Sequence, residues 1–102
     1  MPFIAAPRVF TNTISSRDAL YVLRVRYENG RHYVEARYGR NDGRALRAAV
    51  REHWYESEAY DDYYRLLRQK RDKGYVEADP LLACCVLMRE QLPVPAALLV
   101  AL

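Results

Sequence analysis

Along the chain, a two-residue alternation of apolar and polar positions gives way to a helical period. In LYVLRVRY, Leu20 to Tyr27, the residues Tyr21, Leu23, Val25 and Tyr27 share one face, and Arg24 and Arg26 point to the other. That is the period of a half-buried strand. RHYVEARY, Arg31 to Tyr38, repeats it, with His32, Val34, Ala36 and Tyr38 alternating against Arg31, Tyr33, Glu35 and Arg37. Asn29-Gly30 sits between the two runs, and this dipeptide favours the tight turn of a hairpin. Upstream, PRVFTNT predicts a short edge strand bounded by Pro7, and ISSRDA predicts a polar turn. Downstream, GRNDG predicts a second turn, with Gly39 and Gly43 at positions where positive φ is cheap.

The period changes in ESEAYDDYYRLLRQKRDKGY. Ala59, Tyr63, Leu66, Leu67 and Lys70 follow helical spacing, which predicts a stripe packed on a core. Ser57 reads as the N-cap. Asp61 and Asp62 come early, and Arg68, Lys70, Arg71 and Lys73 come late, the order that complements a helix dipole. Gly74 fits the residue after the last helical turn. PLLACCVLMREQL predicts a second, buried helix after Pro80, ended by Pro93. Between hairpin and helix, RALRAAVREHWY reads two ways. Leu46, Ala49, Val50 and Trp54 suit a helix; Leu46, Ala48, Val50 and Trp54 also suit one face of a strand, with Arg47, Arg51 and His53 on the other. Local propensity favours helix.

Composition adds the class of molecule. With 102 residues, 51% hydrophobic and 28% charged, the chain reads as one globular domain. Its net charge of +3 says little, but the distribution says more. From Arg24 to Arg51 eight arginines face Glu28, Glu35 and Asp42, a net of +5; from Glu52 to Asp79 the net is −3. The basic half predicts a polyanion surface, and arginine forks suit phosphate. Cys84 and Cys85 are adjacent and have no zinc-like spacing, so they read as buried small hydrophobes in a reducing, cytoplasmic setting. The start MPFIAAPRVF lacks the charged head of a secretory leader. PVPAALLVAL is too short for a membrane span, which takes about 20 residues. Residues 1–79 read as the domain, and 80–102 as an apolar C-terminal helix and tail packed on the domain or on a partner.

Strand, tight turn, strand, Tyr38-Gly39-Arg40, Gly-containing turn, strand, helix and then Lys73-Gly74-Tyr75: this order resembles the WGR domain family. The resemblance runs from about Arg8 to Tyr75 and rests on SSRDALYVLRV, YVEARYGRNDG and EAYDDYYRLLRQKRDKGY. Tyr38 stands where the family has Trp. The resemblance implies an α+β fold, with an antiparallel sheet of three to four strands and a long helix packed on it, to which residues 80–102 add the apolar C-terminal helix or tail read from the pattern. It also implies that RALRAAVREHWY is a strand, overriding local propensity.

WGR domains occur in DNA-dependent poly(ADP-ribose) polymerases and in bacterial proteins, alone or fused to other domains. In the polymerases the signature Trp packs on the sugar of a terminal nucleotide, and the Arg binds DNA and neighbouring domains. By resemblance, Tyr38 stacks on a sugar or base, Gly39 lets backbone approach, and Arg40 pairs with phosphate or a partner domain. Arg37, Arg44 and Arg47 add phosphate contacts, which position without reading sequence, and Lys70 serves a domain interface. Each role has a plainer alternative: Tyr38 shares a face with Val34 and Ala36 and fits the core, Arg40 fits a turn cap, and Arg44 and Arg47 fit a merely solvated surface. No Ser/His/Asp, Cys/His or phosphate-loop pattern is present, so the expectation is a non-catalytic module without cofactor or metal. Its expected partner is DNA or another nucleic acid. The alternative is a protein-interaction or regulatory module that binds a partner protein through the same signature loop, or self-associates as a homodimer through its apolar tail.

Overall fold

The computed structural model describes residues 2–13 and 18–101. Five strands and three helices follow one another: β1 Ala5–Asn12, β2 Ala19–Glu28, β3 Arg31–Arg40, β4 Arg47–His53, α1 Glu56–Asp72, β5 Val76–Glu77, α2 Pro80–Arg89 and α3 Ala96–Val100. The strands form one antiparallel sheet in the order β4-β3-β2-β1-β5. The fold is α+β, with a long helix on an antiparallel sheet, but it has one strand more than the three to four expected. β1 is interior rather than an edge, because the two-residue β5 pairs with its outer side through Phe10 and Thr11. So short a strand carries no readable alternation. Most of the expected turn ISSRDA, residues 14–17, lies outside the described residues.

The β2–β3 hairpin forms as its sequence predicts. Asn29 and Gly30 both take positive φ, 51° and 76°, which matches the strand twist. Pro7 falls where the β1–β2 register slips between Ala5 and Arg8, a position that needs no ladder N–H. β4 is a strand and not the helix that local propensity favours. Pairing with β3 from His32↔His53 to Tyr38↔Arg47 outweighs that preference.

Both faces of the sheet are covered. On one, Phe10, Tyr21, Leu23, Val25, Val34 and Ala36 meet Ala59, Tyr63, Leu66 and Leu67 of α1. On the other, Val9, Leu20 and Val22 meet Ala83, Val86 and Leu87 of α2, with Leu92 beside them. β2 is thus apolar on both sides for its first half, and only Arg24 and Arg26 emerge beyond α2. Burying a side chain such as Leu20 or Leu87 contributes about 1.5–3 kcal/mol. No helix among the described residues is long and apolar enough to cross a membrane.

The helix ends show why the chain stops where it does. α1 begins one residue before Ser57: Tyr55 is its N-cap and makes no side-chain cap, so Ser57 is not the cap expected of it. At the other end Gly74 has φ 96°, its N–H bonds Arg71 O, and the Tyr75 N–H bonds Lys70 O at 3.0 Å. This is a Schellman ending, and it delivers Tyr75 edge-on to Tyr21 at 5.9 Å between ring centres. α2 is capped by Asp79, which accepts from the Leu82 N–H, with Pro80 in the first turn. Cys84 is buried in the α2 layer as expected, but Cys85 is exposed. With Leu81 and Met88, 63% and 69% exposed, Cys85 forms an open stripe on the outer side of α2.

Candidate functional site

The end of β3 and the turn after it bring most of the predicted residues together. The Tyr38, Gly39, Arg40, Arg44 and Arg47 side of the turn lines one hollow of about 380 Å³. Tyr38 is 41% exposed, so its ring is neither swallowed by the core nor loose on the surface. It lies directly across from Tyr21 on β2 and Arg47 on β4, and direct cross-strand partners share a face. The turn itself is held by Asp42, whose carboxylate accepts from the Arg44 N–H at 3.0 Å, and by Gly43 at φ 83°. Asp42 also lines the hollow and stands 4.0 Å from the exposed Arg44 guanidinium. Among the described residues, neither Arg40 nor Arg47 has an ion pair. Three arginines against one carboxylate leave this corner positive.

Gly39 has a role in packing. A Cβ built there would stand 3.1 Å from Leu46 Cδ2, so the bare position lets Leu46 fold under the strand. Arg37 is placed elsewhere. Its guanidinium is on the opposite face of the sheet, 3.0 Å from Glu35 and 3.2 Å from Glu90, and it donates to the Glu90 carbonyl at 3.1 Å. It is separated from Tyr38 and Arg40 by the alternation of the strand.

That opposite face holds a buried ion cluster which the sequence reading did not assemble. The Glu35 carboxylate, 6% exposed, meets Arg24 at 3.1 Å, Arg26 at 3.5 Å and Arg37 at 3.0 Å. Burial pushes its pKa up, but the hydrogen bonds and charges of Arg24 and Arg37 outweigh burial and hold it below the usual carboxylate range. Glu90, at the end of α2, ties Arg37 and the Leu46 N–H to the same face. A second cluster joins β4 to α1. Asp62 accepts from Arg51 at 2.8 Å and Arg65 at 2.6 Å, and its other oxygen lies 2.9 Å from His53 Nε2. Burial raises the Asp62 pKa, and the bonds to His53 and Arg65 more than reverse that rise. The parity of β4 could have revealed half of this, because Arg47, Arg51 and His53 alternate onto one face.

Lys70 reaches over the sheet from α1. Its ammonium stands 4.7 Å from the centre of the Tyr21 ring and 5.6 Å from that of Tyr75. Burial lowers its pKa, with a smaller push from Lys73. Desolvation holds the Tyr21 hydroxyl at about 12. Among the described residues no carboxylate pairs with Lys70.

Trp54 and Tyr55 are 66% and 69% exposed, and the Arg31 guanidinium lies 3.7 Å over the Trp54 ring. His53 alone turns inward, to Asp62. His32 is buried beside Tyr27, and among the described residues neither of its ring nitrogens has a hydrogen-bond partner. Compared with known proteins, the chain matches no protein-family model, no curated protein and no solved structure.

Proposed function

We propose that the chain is a small WGR-like module that binds nucleic acid without reading its sequence, and does no chemistry on it. One observation carries this reading: a part-exposed aromatic ring, Tyr38, shares a hollow with Arg40 and Arg47, neither of them ion-paired among the described residues. Guanidiniums without a counter-charge favour phosphate oxygens, and a ring face receives a base or sugar. Arg44 adds charge at the rim, and Asp42 subtracts some. Arg37 has no part in this surface, because Glu35 and Glu90 hold it on the far face.

Binding then falls steeply with salt, since neutralised phosphates release counterions. The test is a titration of fluorescently labelled DNA at low and high salt with wild type and Arg40→Ala. Loss of one charged contact is expected to cost about 1–3 kcal/mol. Equal affinity at both salts, or no affinity at either, refutes the reading.

The stripe of Leu81, Cys85 and Met88 supports a second reading, in which two copies associate through the outer side of α2. The molar mass in solution of wild type and of a Leu81→Asp, Met88→Asp variant tests it. A wild-type monomer at high concentration removes this reading.

A further inference from the structure

The Tyr38 ring stands between two hollows. The turn hollow, with Arg40, Arg44 and Arg47, lies on one side of it. On the other, between sheet and α1, lies a second hollow of about 260 Å³, where Lys70, Gln69 and Arg51 rise over Ala36 and Ala49. Tyr38 belongs to the wall of both. The two hollows differ in how their cations are engaged. Arg51 is committed to Asp62, so Lys70 is the cation left on the helix side. It faces two tyrosine rings and, among the described residues, no carboxylate. A cation facing rings and lacking a counter-ion, at the wall of an open hollow, is arranged for an anion that arrives from outside.

A chain of phosphates that enters at Arg40 and Arg47 and ends on Lys70 must pass over the Tyr38 ring. An unpaired strand does this readily. Its bases are free to turn onto an aromatic face, and its backbone follows a groove of positive charge. A duplex keeps its bases stacked on one another, so none of them is free to turn onto the Tyr38 ring. Building on the function proposed above, we infer that the ligand is single-stranded nucleic acid that crosses Tyr38, with phosphates in both hollows. Lys70 is thereby part of the ligand surface and not only of a domain interface. Arg47 and Arg51, four residues apart on β4, mark the span as about 13 Å at strand rise. That is the reach of only a few nucleotides of an extended, unstacked strand.

The experiment measures fluorescence anisotropy with labelled oligothymidylates of increasing length and with a blunt duplex. The proteins are wild type, Arg40→Ala, Lys70→Gln and Lys70→Arg, each checked for folding by circular dichroism. Affinity is expected to climb with length over the first few nucleotides and to level off beyond that, and the duplex to bind about tenfold more weakly or worse. Arg40→Ala and Lys70→Gln should each weaken the strand about tenfold, and Lys70→Arg should restore most of the loss. A duplex that binds as tightly as the strand, or a Lys70→Gln variant that binds the strand like wild type, overturns this inference and leaves the basic corner standing. If no oligonucleotide of either kind binds, the proposed function itself is overturned.

Discussion

Replacing Glu35 by Gln should destabilise the protein more than replacing Asp62 by Asn, although the two carboxylates are almost equally buried, at 6% and 8% exposure. The difference lies in their partners. The Glu35 cations are mostly buried themselves: Arg24, Arg26 and Arg37 are 18%, 28% and 24% exposed. Without the charge on Glu35, Arg26 keeps Glu28 and Arg37 keeps Glu90. Arg24 keeps no ion pair among the described residues, and its Nε already lacks a partner. Stranding one partner of a buried pair costs about 3–5 kcal/mol. Around Asp62, by contrast, Arg51 and Arg65 are each 53% exposed and can turn to water. Each such pair contributes about 0–1 kcal/mol, so with the more sheltered His53 the loss comes to about 2 kcal/mol. Against a total stability of about 5–15 kcal/mol the difference is measurable. Urea unfolding followed by circular dichroism at neutral pH reads it as a shift in midpoint at constant slope. If Asp62→Asn costs as much as Glu35→Gln or more, partner burial does not govern these clusters.

The same carboxylates set the response to acid. Glu35 and Asp62 both titrate below their ordinary range when folded. Their contribution is therefore complete above the unfolded values of about 4, and is lost as pH falls through the lower folded values. Between about pH 4 and pH 2 wild type should lose stability more steeply than Glu35→Gln, as urea midpoints measured across that range will show. Leu87 has no exposed surface in the α2 layer, so Leu87→Ala should cost about 2–5 kcal/mol by the same unfolding assay; a neutral result would mean that α2 is not part of the core. Gly74→Ala forces an L side chain to φ 96° at the end of α1 and should cost about 1 kcal/mol, with thermal unfolding as the check.

The parts of the fold that were legible in the sequence are those specified locally. The hairpin at Asn29-Gly30 needs positive φ at two residues and advertises it. The stripe of Ala59, Tyr63, Leu66 and Leu67 needs only the helical period. β4 was not legible by propensity, because Ala48 and Ala49 say helix and only pairing with β3 says strand. The double burial of β2 was half hidden, because Arg24 and Arg26 look like a solvent face while Leu20 and Val22 lie under α2. At the site, the turn after β3 could be read from Asn41, Asp42 and Gly43, but the fate of the neighbouring arginines could not. Whether Arg37 meets a ligand or Glu90 depends on α2 returning across the sheet some 53 residues later. The exposure of Trp54 is similar, since nothing local says that β4 would be an edge.

The claim on which the account rests is that the corner at Tyr38 meets a polyanion through arginines not already neutralised. The slope of log affinity against log salt tests it most directly, measured for wild type and for a variant with Arg40, Arg44 and Arg47 all changed to Ala. Three lost phosphate contacts should make the slope shallower by about 2, at about 0.7 for each contact with a single strand. An unchanged slope with unchanged affinity would contradict the claim, because the charges that drive binding would then lie elsewhere on the molecule.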